Sequence, residues 1–175
     1  MLSCFGEGVS AAKLDREPFK FSHKLMGHPA LTLENLSRVI PALPKDQVMY
    51  SKRQLQNGDD FESTFRKRPE DQTIEETIEN IRTSDSYIMV RSPEKDPSFA
   101  SLHRELLDDV KTMFQTRGAG TDISESMLYL FIASPDSVTP FHIDRYSTLL
   151  LQFRGSKTVT IYPAWDERVA DQREC

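Results

Sequence analysis

Residues 128–163 read LYLFIASPDSVTPFHIDRYSTLLLQFRGSKTVTIYP, and the spacing of their apolar runs and turn residues decides the fold class. From Met127 to Ala133 the chain is continuously apolar over about the length of one strand. Ser134-Pro135-Asp136-Ser137 is a turn, because each of its residue types favours bent backbone. Thr139 to Asp144 predicts a short strand and Ser147 to Phe153 a Leu-rich one. Arg154-Gly155-Ser156 turns the chain again. Lys157 to Tyr162, with Val159 and Ile161 alternating, predicts another strand. Closely spaced strands joined by short turns predict a β-sandwich or a jelly-roll barrel.

Working back toward the start, the pattern changes from period two to the helical period. Phe99, Leu102, Leu106, Val110 and Met113 recur at steps of three and four after Pro97, which predicts an amphipathic helix closed by Gly118 and Gly120. Tyr87 to Val90 predicts a strand. Before it, Thr73 and Glu76 have capping-box spacing, and Ile74, Ile78 and Ile81 make one helical face. Ser51 to Gln72 is polar, contains Asn57-Gly58, and reads as a long loop. Gln47 to Tyr50 predicts a strand. Thr32 caps a helix carrying Leu33, Leu36, Val39 and Ile40, which Pro41 and Pro44 help to end. Phe19 to His23 alternates as a short strand would, and residues 1–18 read as a flexible arm. The expected organisation is an arm over 1–18, a mixed helical part over 19–122, and the opening strands of a barrel over 123–175.

Within the β part, His142 and Asp144 stand two residues apart. On a strand, residues i and i+2 point to the same face, so an imidazole nitrogen and a carboxylate oxygen can converge on one metal ion. A His and a carboxylate, completed by a second His, make the facial triad of non-heme Fe(II) oxygenases. No histidine follows His142 in these 175 residues. His23, His28 and His103 lie in the first part, where surface or turn positions are the ordinary reading. The plain alternative for the pair is a hydrogen-bonded His–Asp couple at a barrel mouth. Apolar neighbours on both sides predict that the pair faces a cavity rather than bulk water.

Lys157 lies fifteen residues after His142, at the start of the last strand, and a hairpin over 147–162 returns it beside the pair. A lysine inside a barrel needs an anionic partner, and a dicarboxylate co-substrate would supply one. Thr139 can donate a hydroxyl hydrogen bond to the same carboxylate. Its alternative role is a turn residue ahead of a strand.

The bulk composition narrows the function classes. The net charge is −5, which argues against broad nucleic-acid contact. The clusters Lys52-Arg53 and Arg66-Lys67-Arg68 read as solvated loop charges. No apolar run approaches the length of a membrane span, and Met1 to Gly8 lack the pattern of a secretory signal. Cys4 and Cys175 sit at opposite ends, so no disulfide framework is expected and a reducing cytoplasm is the default location.

The pattern T-P-x-H-x-D, then an apolar strand ending in Q-x-x-G-x-K, then an apolar strand ending in Pro, resembles the JmjC/cupin-like 2-oxoglutarate oxygenases. The likeness is nearest to their asparaginyl-hydroxylase-like branch and its bacterial cupin-like relatives. Here the pattern is carried by Thr139, Pro140, His142, Asp144, Gln152, Gly155, Lys157 and Pro163. The I-E-E-T-I helix and the F-x-x-S/H-x-L-x-x-H-P opening extend the likeness, less specifically, into the first half. The resemblance implies an α+β chain: a mixed helical part followed by the first strands of a double-stranded β-helix, incomplete at the C-terminus. It implies His142 and Asp144 as Fe(II) ligands, and Lys157, helped by Thr139, as the binder of 2-oxoglutarate, with Thr148 and Tyr129 as further co-substrate contacts. The prime substrate would be a protein side chain or a small molecule.

The family pattern also needs a distal His and later strands, so the expectation is a fragment or truncated product, with Asp166, Glu167, Asp171 and Glu174 as its only late carboxylates. The competing expectation is a non-catalytic cupin-like binding module lacking the third ligand. Its open edge would be completed by another chain, as in a homodimer.

Overall fold

The structure, a computed structural model, describes residues 2–51, 71–118, 122–144 and 146–163. Its elements in chain order are α1 (Leu33–Ala42), β1 (Val48–Ser51), α2 (Ile74–Glu79), β2 (Tyr87–Arg91), α3 (Pro97–Thr116) and β3 (Tyr129–Ala133), with short 3-10 turns at Pro29–Leu31 and Pro93–Lys95. The class is α+β. The expected loop over 51–72 and the late carboxylates Asp166 to Glu174 lie largely or wholly outside the described residues, as does Gly120.

Each helix begins where a side chain takes up an orphan N–H. Thr32 Oγ1 accepts from the Asn35 N–H at 3.2 Å. At α2 both halves of the capping box form: the Glu76 N–H donates to Thr73 Oγ1 at 3.2 Å, and the Thr73 N–H donates to Glu76 Oε2 at 2.9 Å. Asp96 starts α3 by accepting from the Ser98 N–H at 2.9 Å, and those Ser98 contacts hold its carboxyl below the usual range. Gly118 follows the end of α3 at φ +73°, a conformation natural only to glycine. Pro41 lies inside the last turn of α1 rather than beyond it. A proline there forfeits only its own N–H bond, near a helix end that is about to fray.

The three strands form one antiparallel sheet in the order β1-β2-β3. Val48 pairs with Val90 and Tyr50 with Ile88; Ile88 in turn pairs with Ile132 and Val90 with Leu130. These residues share one face because side chains alternate along a strand. Ile88 and Val90 are fully buried, and this face joins Leu36, Val39 and Ile40 of α1 and Phe99, Leu102 and Met113 of α3 in a single core. Each such side chain stabilises the fold by about 1.5–3 kcal/mol relative to exposure. No helix among the described residues is long and apolar enough to cross a membrane.

Two expectations are corrected. The arm expected to be loose over 1–18 is built into the core: Phe5 is 1% exposed and Cys4 2%. Asp109, on the buried side of α3, accepts the N–H groups of Ser3, Cys4 and Phe5 at 2.8, 2.7 and 2.9 Å. Backbone bonds then join the arm to the segment expected as a strand over 19–23: Gly6 to Ser22, Ser22 to Glu7, and Lys24 to Cys4. Only an isolated bridge, Phe5 with His23, forms there. The reason sequence patterning misses the arm is that its anchor is a carboxylate more than a hundred positions away.

The second correction concerns 139–144, 147–153 and 157–162, which enter no strand ladder in the structure. Their alternation is real, but it is used differently. Leu149, Leu151 and Phe153 pack against the main core, while the Gln152 carbonyl bonds His23 Nε2 at 2.7 Å. Side chains therefore hold this stretch against the first part of the chain, with no neighbouring strand for its backbone among the described residues. Phe141, Ile143, Leu150, Val159 and Ile161 on its outer side are more than half exposed.

Candidate anion cradle and metal pair

The side chains on the second face of the sheet position the site. Register places Ser51, Tyr87 and Ala133 in one row, Met49, Met89 and Phe131 in the next, and Arg91 with Tyr129 in the last. This face is not part of the main core; Tyr87 packs there with Met49 and Met89. Its aromatic rings form a ladder. Tyr129 stacks on Phe131 at 6.0 Å with planes 6° apart, and Phe131 meets Tyr87 at 5.9 Å, tilted 48°.

After β3 a buried serine pair fixes the turn. Ser134 N donates to the Ser86 carbonyl at 2.9 Å, and the Ser86 N–H donates to Ser134 Oγ at 2.7 Å. Ser137 Oγ then donates to the Ser134 carbonyl at 2.7 Å. Ser86 precedes Tyr87, so this lock brings the chain back over the start of β2, and Thr139 comes near the Tyr87 phenol. Lys157 Nζ donates to Thr139 Oγ1 at 2.7 Å.

Lys157 and Tyr87 thus both stand beside Thr139. Burial pushes the Tyr87 phenol up to about 12, against the opposing effect of Thr139. Desolvation lowers the Lys157 ammonium from its ordinary value, although the side chain as a whole is exposed. Among the described residues no carboxylate lies within ion-pair distance of Lys157. A cation whose partner among the described residues is a neutral hydroxyl can give charge-assisted bonds to an anion. Tyr87 is the member that sequence reading missed. The available signal was its place in the period-two pattern of β2, on the face opposite Ile88 and Val90.

His142 and Asp144 follow three and five residues after Thr139. His142 Nδ1 lies 2.8 Å from the Pro140 carbonyl and donates to it. That bond places a proton on Nδ1 and leaves Nε2 3.8 Å from Asp144 Oδ1. Two adjacent ligands at about 2 Å and near a right angle stand about 2.9 Å apart, so the pair must close by about 1 Å to share one ion. The residue types fit two ligands of a metal, while their 3.8 Å spacing is wider than one ion requires. The pair is not enclosed as expected: the His142 side chain is 44% exposed and that of Asp144 52%, and among the described residues no strand pairs with this stretch. Among the described residues no group of three or more metal-ligating side chains is present.

The remaining candidates sit elsewhere. Tyr129 reaches Tyr87 only through Phe131. Thr148 is exposed and donates to the Tyr146 carbonyl at 3.2 Å, within its own turn. His23 bonds the Gln152 carbonyl, His28 accepts from the Ala30 N–H, and His103 meets Ser126 Oγ at 3.0 Å. Each of these three histidines is engaged in holding backbone or side-chain structure.

With this geometry in place, comparison with known proteins is informative. No characterised protein and no solved structure matches the chain. A family model for the cupin-like domain matches residues 22–172, which spans both the helical part and the site, and the chain therefore belongs to the cupin-like domain family.

Proposed function

We propose that this chain carries the co-substrate cradle and two of the metal ligands of an Fe(II)- and 2-oxoglutarate-dependent oxygenase. The observation that carries the reading is the Lys157 ammonium, held by Thr139 beside Tyr87 without a carboxylate partner among the described residues. In this role Lys157 neutralises the distal carboxylate of 2-oxoglutarate, and Thr139 and Tyr87 orient it. His142 and Asp144 hold the metal through Nε2 and a carboxylate oxygen. Iron(II), when bound with open positions, supplies the redox chemistry with O₂ that the side chains lack. The chain's own contribution is charge, orientation and a partly dry wall of methionine and aromatic side chains. The prime substrate of this reading is a protein side chain or a small molecule.

The test is Mn(II) binding followed by electron paramagnetic resonance, with succinate formation measured in parallel under Fe(II). The expected result is Mn(II) binding that is lost in both His142→Ala and Asp144→Ala. Equal binding in the wild type and both variants overturns the metal assignment.

A second reading, a non-catalytic binding module, is favoured by a different observation. Phe141, Ile143, Leu150, Val159 and Ile161 are each more than half exposed, and exposed apolar side chains, where contiguous, mark surfaces that another chain covers. A mass measurement across concentration separates the two readings, since a strict monomer speaks against the module.

A further inference from the structure

We infer that the cleft between the end of α1 and the start of α3 binds a small zwitterion, with its ammonium on Asp46, its carboxylate on Lys95 and a hydrogen bond to the Gln47 amide. The site shares no residue with the anion cradle and does not depend on that reading.

Two turns build the cleft. As the chain leaves α1, the Gln47 N–H donates to the Pro44 carbonyl at 2.9 Å, and the Arg91 N–H donates to the Gln47 carbonyl at 2.8 Å. Gln47 is therefore fixed through its backbone on both sides, at the entry to β1. From Arg91 the chain bends at Ser92, whose φ is +52°, and passes through the 3-10 turn Pro93–Lys95 to the Asp96 cap of α3. Asp46, Gln47, Lys95 and Asp96 so come to line one cleft of about 340 Å³, walled on its apolar side by Leu43 and Pro44. That volume is at the low end for small-molecule sites, roughly 300–1,000 Å³.

Gln47 is the decisive group. It is 6% exposed, yet its side-chain amide has no hydrogen-bond partner among the described residues. The amide is not sealed inside the protein either, so what remains open to it is the cleft it lines. Buried amides are ordinarily hydrogen-bonded. This one can be satisfied by a ligand, with its oxygen accepting and its NH₂ donating. The charges beside it are also uncommitted: neither Asp46 nor Lys95 forms an ion pair among the described residues. Asp96 differs, because its carboxylate already accepts the Ser98 N–H. A purely anionic ligand would meet the charge of Asp46, and a purely cationic one that of Lys95. A molecule that carries both charges satisfies both groups. Free amino acids and dipeptides have this chemistry. Asp46 and Lys95 are exposed, so each contact is screened and the affinity is expected to be in the millimolar range.

The experiment is a ¹H–¹⁵N NMR titration of the full chain, with L-leucine and alanyl-leucine as probes. The side-chain NH₂ signals of Gln47 are assigned by their absence in Gln47→Met, which keeps the length of the side chain and removes the amide. These signals are expected to shift saturably with at least one probe, and the probe that moves them tells an amino-acid site from a dipeptide site. L-Leucinamide and 4-methylpentanoate, which carry only one of the two charges, are expected to bind at least about fivefold more weakly. Asp46→Asn and Lys95→Met are each expected to weaken the zwitterion about fivefold. Both side chains are exposed, so the denaturation midpoint should stay nearly unchanged in each variant. Gln47 signals that neither probe moves mean a cleft that holds water only, and overturn the inference. Equal binding of the singly charged analogues, or unchanged affinity in either charge variant, overturns it as well.

Discussion

Asp109 is the residue on which the first part of the molecule turns. Burial alone would raise its pKa, but the N–H groups of Ser3, Phe5 and Cys4 and the Ser3 hydroxyl outweigh it, and the carboxyl is held below the usual value. Removing the carboxylate leaves three backbone donors without their acceptor, each costing about 1–3 kcal/mol when it stays buried. Asp109→Ala is therefore expected to destabilise the chain by about 3 kcal/mol or more in chemical denaturation. The sign with pH follows from the lowered pKa. The stabilisation is fully present above the ordinary carboxylate pKa and is lost as pH falls through the folded-state value. Asp109→Asn is expected to flatten the acid limb of a stability–pH curve, and an unchanged acid limb contradicts the assignment. At the site, Lys157 behaves in the opposite sense. Its lowered pKa means that the positive charge needed for anion binding disappears at a less alkaline pH than in an ordinary lysine. Affinity for 2-oxoglutarate is thus expected to decline on the alkaline side at a pH below the ordinary lysine value, while Tyr87, at about 12, stays protonated throughout. A flat affinity profile to pH 10.5 would remove Lys157 from the cradle.

At the scale of elements, caps and alternation made most of the secondary structure legible. Thr32, Thr73 and the apolar steps after Pro97 announce α1, α2 and α3 through local chemistry, and Tyr87 to Val90 announces β2. Thr73→Ala should remove one half of the capping box and cost about 1 kcal/mol, read as a shift in the denaturation midpoint without a change in slope. What alternation cannot tell is whether a segment finds a strand beside it. Ser147 to Phe153 has the period of a strand, and its inner leucines do pack inward, but pairing depends on a distant backbone edge. The same limit hid Tyr87. Its neighbours Phe131 and Thr139 arrive through the β2–β3 register and the Ser86–Ser134 lock, and neither can be read from spacing along the chain. His142, Asp144, Thr139 and Lys157, by contrast, stand within one short stretch, and local spacing sufficed to single them out. Their enclosure was over-read, because apolar neighbours such as Phe141 and Ile143 signal burial only when another layer exists to cover them.

The molecule as a whole has two unequal faces about one small sheet. One face is a closed core shared with α1, α3 and the N-terminal arm. The other carries the methionines, the aromatic ladder and the cradle. Phe141, Ile143, Leu150, Val159 and Ile161 are exposed as well, and contiguous exposed apolar side chains drive association at rising concentration. Ile143→Thr combined with Ile161→Thr is expected to lower the associated fraction in analytical ultracentrifugation while leaving the denaturation midpoint nearly unchanged. The central claim is that the second face receives a carboxylate at Lys157. Calorimetric titration of 2-oxoglutarate into the wild-type chain and into Lys157→Ala tests it most directly. One-to-one binding is expected, weakening at least about tenfold in Lys157→Ala, the loss of a charge-assisted contact. Equal affinity in the two proteins would contradict it.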